Sequence, residues 1–505
     1  MIAPGKRPGK AAVDRFRPPP WTRSTPAWQA LDTQLETDHL ARLIDQGVDR
    51  LDLTPLFRSF AGRGSRPSRP DLMLQIVLFE IQRGRTSPAP WYQDTKENIA
   101  LQGLGRGIRP ARSVWYTFAF RVRPYLDGWN QQVLHQAQQH GLVSGKRVSL
   151  DGTLVEAQAS RHRLLNHEQL QHRRQLLDAA VQADAAGQAP AVRPSWMART
   201  PRSRQRQQEQ YQRAQAHLNE RLAENRQRLP SARQDDKHVR SSVTDPEAAL
   251  GKDKRKVYRP LYNVQYVRDL DSPFLVGYDA FAHSSDAGTL VPMLQRTQQL
   301  QGRLPEEVLV DSGYVTALDW ADAQALGVNL CGPWKENDYS ARGASPPKQW
   351  SKDQFTWDEA AQQYRCPEGQ PLRLKGVQNR PRSRQRSERL ELYQAEASTC
   401  AACPQKARCC PKSRSGRHLH RSEHEALIEA HRHKMTTPEA KALYRRRGPT
   451  VEPSFGDAKQ HRGFRRVHGR GLDKAKGQTG LTVLAHNIWE LVKGILRLGP
   501  SKNET

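Results

Sequence analysis

Lys146-Arg-Val-Ser-Leu-Asp-Gly-Thr-Leu-Val-Glu-Ala157 alternates apolar and polar side chains for most of its length. A period of two marks a strand with one buried face, so a sheet begins here. Upstream the pattern is helical. Ser68-Arg-Pro-Asp-Leu-Met-Leu-Gln-Ile-Val-Leu-Phe-Glu-Ile81 opens like a helix, with Ser68 as N-cap, Pro70 in the first turn and Asp71 facing the positive end of the dipole. It is too apolar to be exposed. Ser113 to Arg123 and about Tyr125 to His140 are further helices, so residues 35–140 read as an all-helical N-terminal domain with Trp115, Phe118 and Phe120 inside it. Residues 1–34, rich in Pro, Arg and Lys and without a period, read as a disordered basic arm.

Downstream of Ala157, strands are expected at Leu261–Val267, Pro273–Phe281, Glu307–Ser312 and Gly327–Gly332, the last after a helix at Ala317–Leu326. Residues 160–236, dominated by Gln, Arg, Ala and Glu, read as a solvated helical hairpin with its loop at Gly187 to Pro201, whose basic excess could touch DNA. Residues 336–430 lose periodicity and hold five of the six cysteines. Gln478 to Arg497 is an amphipathic helix with Leu481, Leu484, Ile488, Leu491 and Ile495 at three- and four-residue spacing, a core stripe. The fold class is therefore α/β.

Composition narrows the partner. The chain has 505 residues, 80 Lys plus Arg against 52 Asp plus Glu, and a formal charge of +28, with 11 Trp, 13 Tyr and 11 Phe to build cores. Such an excess points to a polyanion, because each neutralised phosphate releases condensed counterions. No apolar run reaches the ~20 residues that span a bilayer, and Met1 to Lys10 has no apolar signal region, so no membrane and a cytoplasmic site are expected. Six cysteines, four of them between Cys400 and Cys410, suit metal ligation better than a disulfide framework.

Asp151 in Val-Ser-Leu-Asp-Gly-Thr and Asp311 in Val-Leu-Val-Asp-Ser-Gly sit in or just after apolar strands. Burying such an acid is costly unless something compensates it, and a neighbouring glycine gives a ligand room, so both are metal-ligand candidates; each could equally cap a turn. Glu452 is the third carboxylate. Pro453 after it places it at or near a helix N-terminus, with Thr450 as a possible cap, and Phe455 and Lys459 then follow along the same stripe. Arg462 and Arg466 lie further along, placed to meet a DNA backbone.

These segments closely resemble insertion-sequence transposases of the DDE class, in the bacterial group with a Tyr-Arg-Glu-Lys signature. The matching residues are Leu150-Asp-Gly-Thr, Val310-Asp-Ser-Gly-Tyr, and Tyr444, Arg447, Glu452 and Lys459, followed by His461-Arg-Gly-Phe-Arg-Arg and Arg470-Gly-Leu. Thr244-Asp-Pro-Glu-Ala and Tyr262-Asn-Val-Gln resemble the second-strand region, and the likeness runs from about residue 35 to 495. Four residues separate Arg447 from Glu452 where the signature has three, which leaves Arg446 as an alternative arginine; the six-residue gap from Glu452 to Lys459 is kept.

The resemblance implies a ribonuclease H-like core with a mixed five-stranded sheet, built from residues 146–335 and 437–497, preceded by the helical domain and interrupted by the helical insertion 160–236 and a Cys-rich insertion 336–430. It implies catalytic Asp151, Asp311 and Glu452 holding Mg²⁺ (or Mn²⁺), two ions, and DNA contacts from Tyr444, Arg447, Lys459, Arg462, Arg465 and Arg466. The activity implied is binding of terminal inverted repeats, strand cleavage and strand transfer on double-stranded DNA by a homodimer at the bacterial nucleoid. The alternatives are an inactive transposase-derived DNA-binding protein and another metal-dependent nuclease on the same core. Cys400-x-x-Cys403 has knuckle spacing, and with Cys366 and Cys409 it makes a candidate structural Zn²⁺ site; Cys410 could replace Cys409, and Cys331 reads as core.

Overall fold

The computed structural model describes residues 14–60, 64–228, 233–253, 255–314, 316–334, 350–381 and 387–499. They divide into two units, one drawn from Met1–Asp286, Pro292–Pro305 and Gly448–Thr505, the other from Ala287–Val291 and Glu306–Arg447. Among the described residues no helix is long and apolar enough to cross a membrane.

The first unit contains the strand expected at Lys146, β1 (Arg147–Glu156), with β2 (Ala249–Lys252), β3 (Tyr258–Asp269) and β4 (Leu275–Phe281). β3 pairs antiparallel with β1 on one side and with β2 and β4 on the other. Along β1, Val148 faces Asp269, Asp151 faces Tyr266 and Glu156 faces Leu261. Val148 and Leu150 are buried on one face and Val155 on the other, so β1 is covered on both sides.

The helical front segment belongs to this same unit. Helices Leu40–Val48, Pro70–Gln82 and Leu126–Gln139 pack on the long helix Leu472–Leu498, which also lies on β4. The Gly47 face is filled by Ile488, and Asn130 Nδ2 reaches Tyr278 Oη at 3.3 Å and the Gly480 carbonyl at 3.4 Å. Pro70–Gln82 is buried on nearly every side, as its composition required, but its N-cap is Arg69 and not Ser68. The aromatic expectation holds for Trp115 and Phe118 and fails for Phe120, which is 63% exposed beneath the Arg123 guanidinium. Nor are residues 14–34 a disordered arm. Phe16 is buried edge-on against Phe57 and Phe60, and Pro26–Asp32 is a helix, so a few apolar side chains suffice to dock a Pro- and Arg-rich segment; residues 1–13 of that expected arm lie outside the described ones.

Between β1 and β2 lies a helical hairpin, His167–Ala185 and Pro201–Gln227. Asn166 and Gln169 form a capping box on the first helix, and Thr200 with Pro201 starts the second. The two helices share a private core of Leu170, Leu177, Ala180, Tyr211, Ala214, Leu218 and Leu222.

In the second unit, β5 (Glu307–Leu309) and β6 (Asn329–Cys331) are parallel, joined through the helix Ala317–Ala325. The Cys-rich segment is not irregular. It forms an antiparallel sheet of β7 (Thr356–Asp358), β8 (Gln363–Arg365), β9 (Pro371–Pro381), β10 (Ser387–Gln394) and β11 (His418–Ser422), ordered β11-β10-β9-β8-β7. Two of its strands are only three residues long, and β9 carries a bulge between Leu374 and Gly376 and exposes Leu374 and Val377, which erases the period from the sequence. Residues 336–349 and 382–386 of this expected insertion lie outside the described ones.

Glu80 is fully buried in Pro70–Gln82, and burial, with a hydrogen bond to Asp94, pushes its carboxyl from the ordinary 4.5 up to about 8. The folded protein therefore holds a proton there that the unfolded chain releases above pH 4.5. Stability should fall as pH rises from about 4.5 to about 8, by up to ~1.4 kcal/mol per pH unit from this group. Glu80→Gln should flatten that slope in thermal melts recorded across the window; an unchanged slope would refute the assignment.

Candidate active site

In the first unit the site is built on β1. Residues opposite each other in an antiparallel pair share a face, so Asp151, Thr153, Tyr266 and Arg268 project to the same side. That side is covered by the helix Arg447–Gly456. Phe455 stacks on Tyr266 with centroids 5.0 Å apart and planes at 6°, and Arg268 Nη1 donates to the Thr450 carbonyl at 2.7 Å and to Ser454 Oγ at 3.2 Å. Lys459 Nζ donates to Thr153 Oγ1 at 2.6 Å and to the Leu154 carbonyl at 2.9 Å. The aromatic ring and ammonium expected along the Glu452 stripe thus both anchor to the sheet face that bears Asp151. Glu452 itself is exposed.

Glu452 is not at a helix N-terminus. The helix begins at Arg447 and continues through Pro453 to Gly456, then gives way to a π-helical turn at Asp457–His461. Proline inside a helix removes one N–H and frees the carbonyl four residues before it, here that of Pro449; the Arg268 guanidinium bonds the next carbonyl, that of Thr450. Gly448, one turn before Glu452, leaves the carboxylate its room: a Cβ there would stand 3.3 Å from Glu452 Oε1.

The glycine after Asp151 serves packing. Gly152 points to the opposite face, where an added Cβ would lie 2.2 Å from Gln265 Nε2 and 2.4 Å from Asp286 Oδ1. Buried Asn263 and Gln265 both donate to Asp286 Oδ1, at 2.9 and 2.7 Å, which closes β3 against the loop after β4. The room expected for a ligand is therefore filled by protein.

Of the expected DNA contacts, Arg465 and Arg466 are exposed, in the segment that bonds to the end of β1 through Glu156. Arg462 is not: it is 2% exposed, with Nε 2.7 Å from Asp457 Oδ2 and its fork on Gln82 and His486. Burial opposes the charge on Asp457, but hydrogen bonding to His486 and the Arg462 charge prevail and hold its carboxyl down to about 2. Arg462 is a buried brace, and the basic sequence around it concealed this. Sequence reading also missed Arg268, and the role of Thr244-Asp-Pro-Glu-Ala: Asp245 Oδ1 accepts from Gly471 N at 3.1 Å and Glu247 Oε2 from Leu472 N at 2.6 Å, two carboxylates on the N-terminus of Leu472–Leu498.

The third carboxylate, Asp311, belongs to the second unit, two residues beyond β5. Its Oδ1 accepts from Gly313 N at 2.7 Å, so it does cap its own turn, and its Oδ2 lies 3.7 Å from Arg447 Nη2. Arg447 is 9% exposed, and Tyr444 is half-buried on the helix Pro438–Arg445.

In the same unit Cys409 and Cys410 are buried in one cluster, with Cys366 and Cys400 packed against it. Two backbone donors point at sulfur, Gln370 N to Cys366 Sγ and Arg417 N to Cys400 Sγ, both at 3.3 Å, while burial pushes the Cys400 thiol up. Cys331 is buried elsewhere, its thiol pushed up to about 11 by burial. Among the described residues no three His, Cys, Asp or Glu side chains are already gathered as a metal-ligand set.

Residues 365–492 match the family model described as a transposase DDE domain. The match includes Glu452, Lys459 and five of the cysteines, and does not reach Asp151 or Asp311. It supports a transposase in general. No curated protein matches the chain.

Gly152→Ala should lower stability by about 1–3 kcal/mol, the usual cost of overpacking. Chemical denaturation checks this, and a variant as stable as the parent would sink the packing role.

Proposed function

We propose that the chain is a DNA transposase of the Tyr-Arg-Glu-Lys group that binds the terminal inverted repeats of its insertion sequence and catalyses strand cleavage and strand transfer. The observation that carries the reading is the stacking of Phe455 on Tyr266, which seats the Glu452 helix on the sheet face of Asp151. The transposase DDE domain match over residues 365–492 supports it.

In this reading Asp151, Asp311 and Glu452 are the catalytic carboxylates. Their oxygens suit Mg²⁺ or Mn²⁺, and two such ions would lower the pKa of the attacking water or 3′-hydroxyl and stabilise the leaving oxygen of an in-line displacement. The protein's share is positional. Lys459, tied to Thr153 and Leu154, keeps the turn after the Glu452 helix from sliding along β1. Arg465 and Arg466, exposed beside the end of β1, meet the phosphodiester backbone, with Tyr444 and Arg447 as further contacts. Arg447, beside Asp311, neutralises part of the negative charge. The helical front segment recognises the repeats, and a homodimer brings two ends together.

Purified protein with Mg²⁺ and DNA bearing the element's ends should nick and join it. Asp151→Asn, Asp311→Asn and Glu452→Gln should each cut the rate by at least about a thousandfold while end binding persists, since each removes a charge needed in the transition state. Equal activity in parent and variants would refute these roles.

A zinc ion held by Cys366, Cys400 and Cys403 with Cys409 or Cys410 would pin β8 and β9 to the cysteine-bearing turns. Elemental analysis should find about one zinc per chain, and Cys400→Ser should lose it; metal-free protein of undiminished stability would refute the site.

A further inference from the structure

The hairpin has a charged tip that the catalytic reading does not use. From Ala185 to Gln208 there are five arginines and no acidic residue. One, Arg204, is 3% exposed and turned inward: it binds Asp184 through two nitrogens of its fork and donates to the Ala198 and Arg199 carbonyls at 3.1 and 2.8 Å. Gln207 clasps the same loop, donating to the Trp196 carbonyl at 2.9 Å and accepting from Ala198 N at 2.8 Å. Trp196 stacks on Tyr211 at 5.8 Å, with the Arg173 guanidinium on its ring, and Met197 is buried. This loop has a set shape.

The other four, Arg193, Arg199, Arg202 and Arg206, are all exposed, and among the described residues none of them is in an ion pair. Arg202 and Arg206 are one turn apart on the same helix face. The hairpin base differs: there Arg226 pairs with Asp236 and Lys237 with Asp235. The root thus holds two ion pairs beside its exposed Arg228, Arg233 and Arg240, whereas the rigid tip holds no acidic partner for its four exposed arginines. Gathering four like charges in a fixed loop costs stability unless a polyanion meets them. The second helix has 27 residues, so the tip stands about 40 Å from the root, a little over one turn of duplex.

We propose that this tip is a second DNA-binding surface, gripping the phosphate backbone of duplex DNA without reading its sequence. The choice of DNA as the polyanion rests on the transposase reading. Full-length protein would be titrated with a 40-bp duplex of arbitrary sequence at about 50–300 mM salt, a range that resolves the salt slope. Replacing the four arginines by Gln should lower the slope of log affinity against log salt by about two to four, at roughly 0.9 for each phosphate no longer neutralised. Lysine at the four positions should restore it, and the control Arg226→Gln with Lys237→Gln should leave it unchanged. An unchanged slope in the Gln variant, with the parent's melting temperature, would overturn the proposal and leave the catalytic reading intact. Failure of the parent itself to bind duplex would overturn both, and a loss seen only with an acidic polypeptide would overturn the choice of DNA.

Discussion

Register between β1 and β3 is the constraint on which the first unit turns. Asp151 must face Tyr266 and the helix stacked on it, while Gly152 must face Gln265 and Asp286, where no side chain fits. Because a strand repeats every two residues, a slip of one position would exchange these neighbours, burying a carboxylate among Gln265, Asn263 and Asp286 and leaving Tyr266 opposite a glycine. Gly152 guards against the slip because no side chain fits in its place, and Thr153 by its bond to Lys459. The placing of Asp151 and the packing of Gly152 are therefore two faces of one pairing.

The strands and long helices were legible from apolar stretches bounded by turn and cap signals, even where, as in β3 and Pro70–Gln82, nearly every side is buried. β1, β3, β4 and the hairpin fall within a few residues of where alternation and turn signals put them. What failed did so for physical reasons. The three-residue strands β7 and β8 are too short to show any period, and the long pair β9 and β10 is a ribbon with apolar residues left outside. Phe120 was placed inside because aromatic residues usually are, and only tertiary contacts decide that. The Pro453 rule gave way because the helix starts six positions earlier, at Arg447, and is held to the sheet beyond the proline by Phe455 stacked on Tyr266.

The candidate site was legible as residue types and only partly as roles. Asp151 lies on the sheet face to which Lys459 and Phe455, seven and three positions beyond Glu452, are anchored. The arginines were harder, since guanidinium serves equally as a phosphate ligand and as an internal brace. Arg204, Arg417 and Arg462 are each at most 3% exposed and bonded to protein carbonyls, carboxylates or amides. A run of basic letters cannot distinguish these from Arg465 and Arg466, so formal charge overstates what the surface offers DNA.

The helix Leu472–Leu498 touches the front helices, β4 and the carboxylates of Asp245 and Glu247 all at once. Gln82 binds the Ala485 carbonyl across 403 positions of chain. Contacts so distant in sequence close only after a large loop has been ordered, and they slow folding. On a ribosome the front helices emerge with their apolar faces bare and wait for residues made hundreds of codons later. The first unit is thus a late-assembling fold, and a chain cut short before residue 472 would expose the Leu- and Ile-rich surface of Pro70–Gln82, which makes a truncated copy a target for chaperones and proteases instead of a competent rival of the full-length protein.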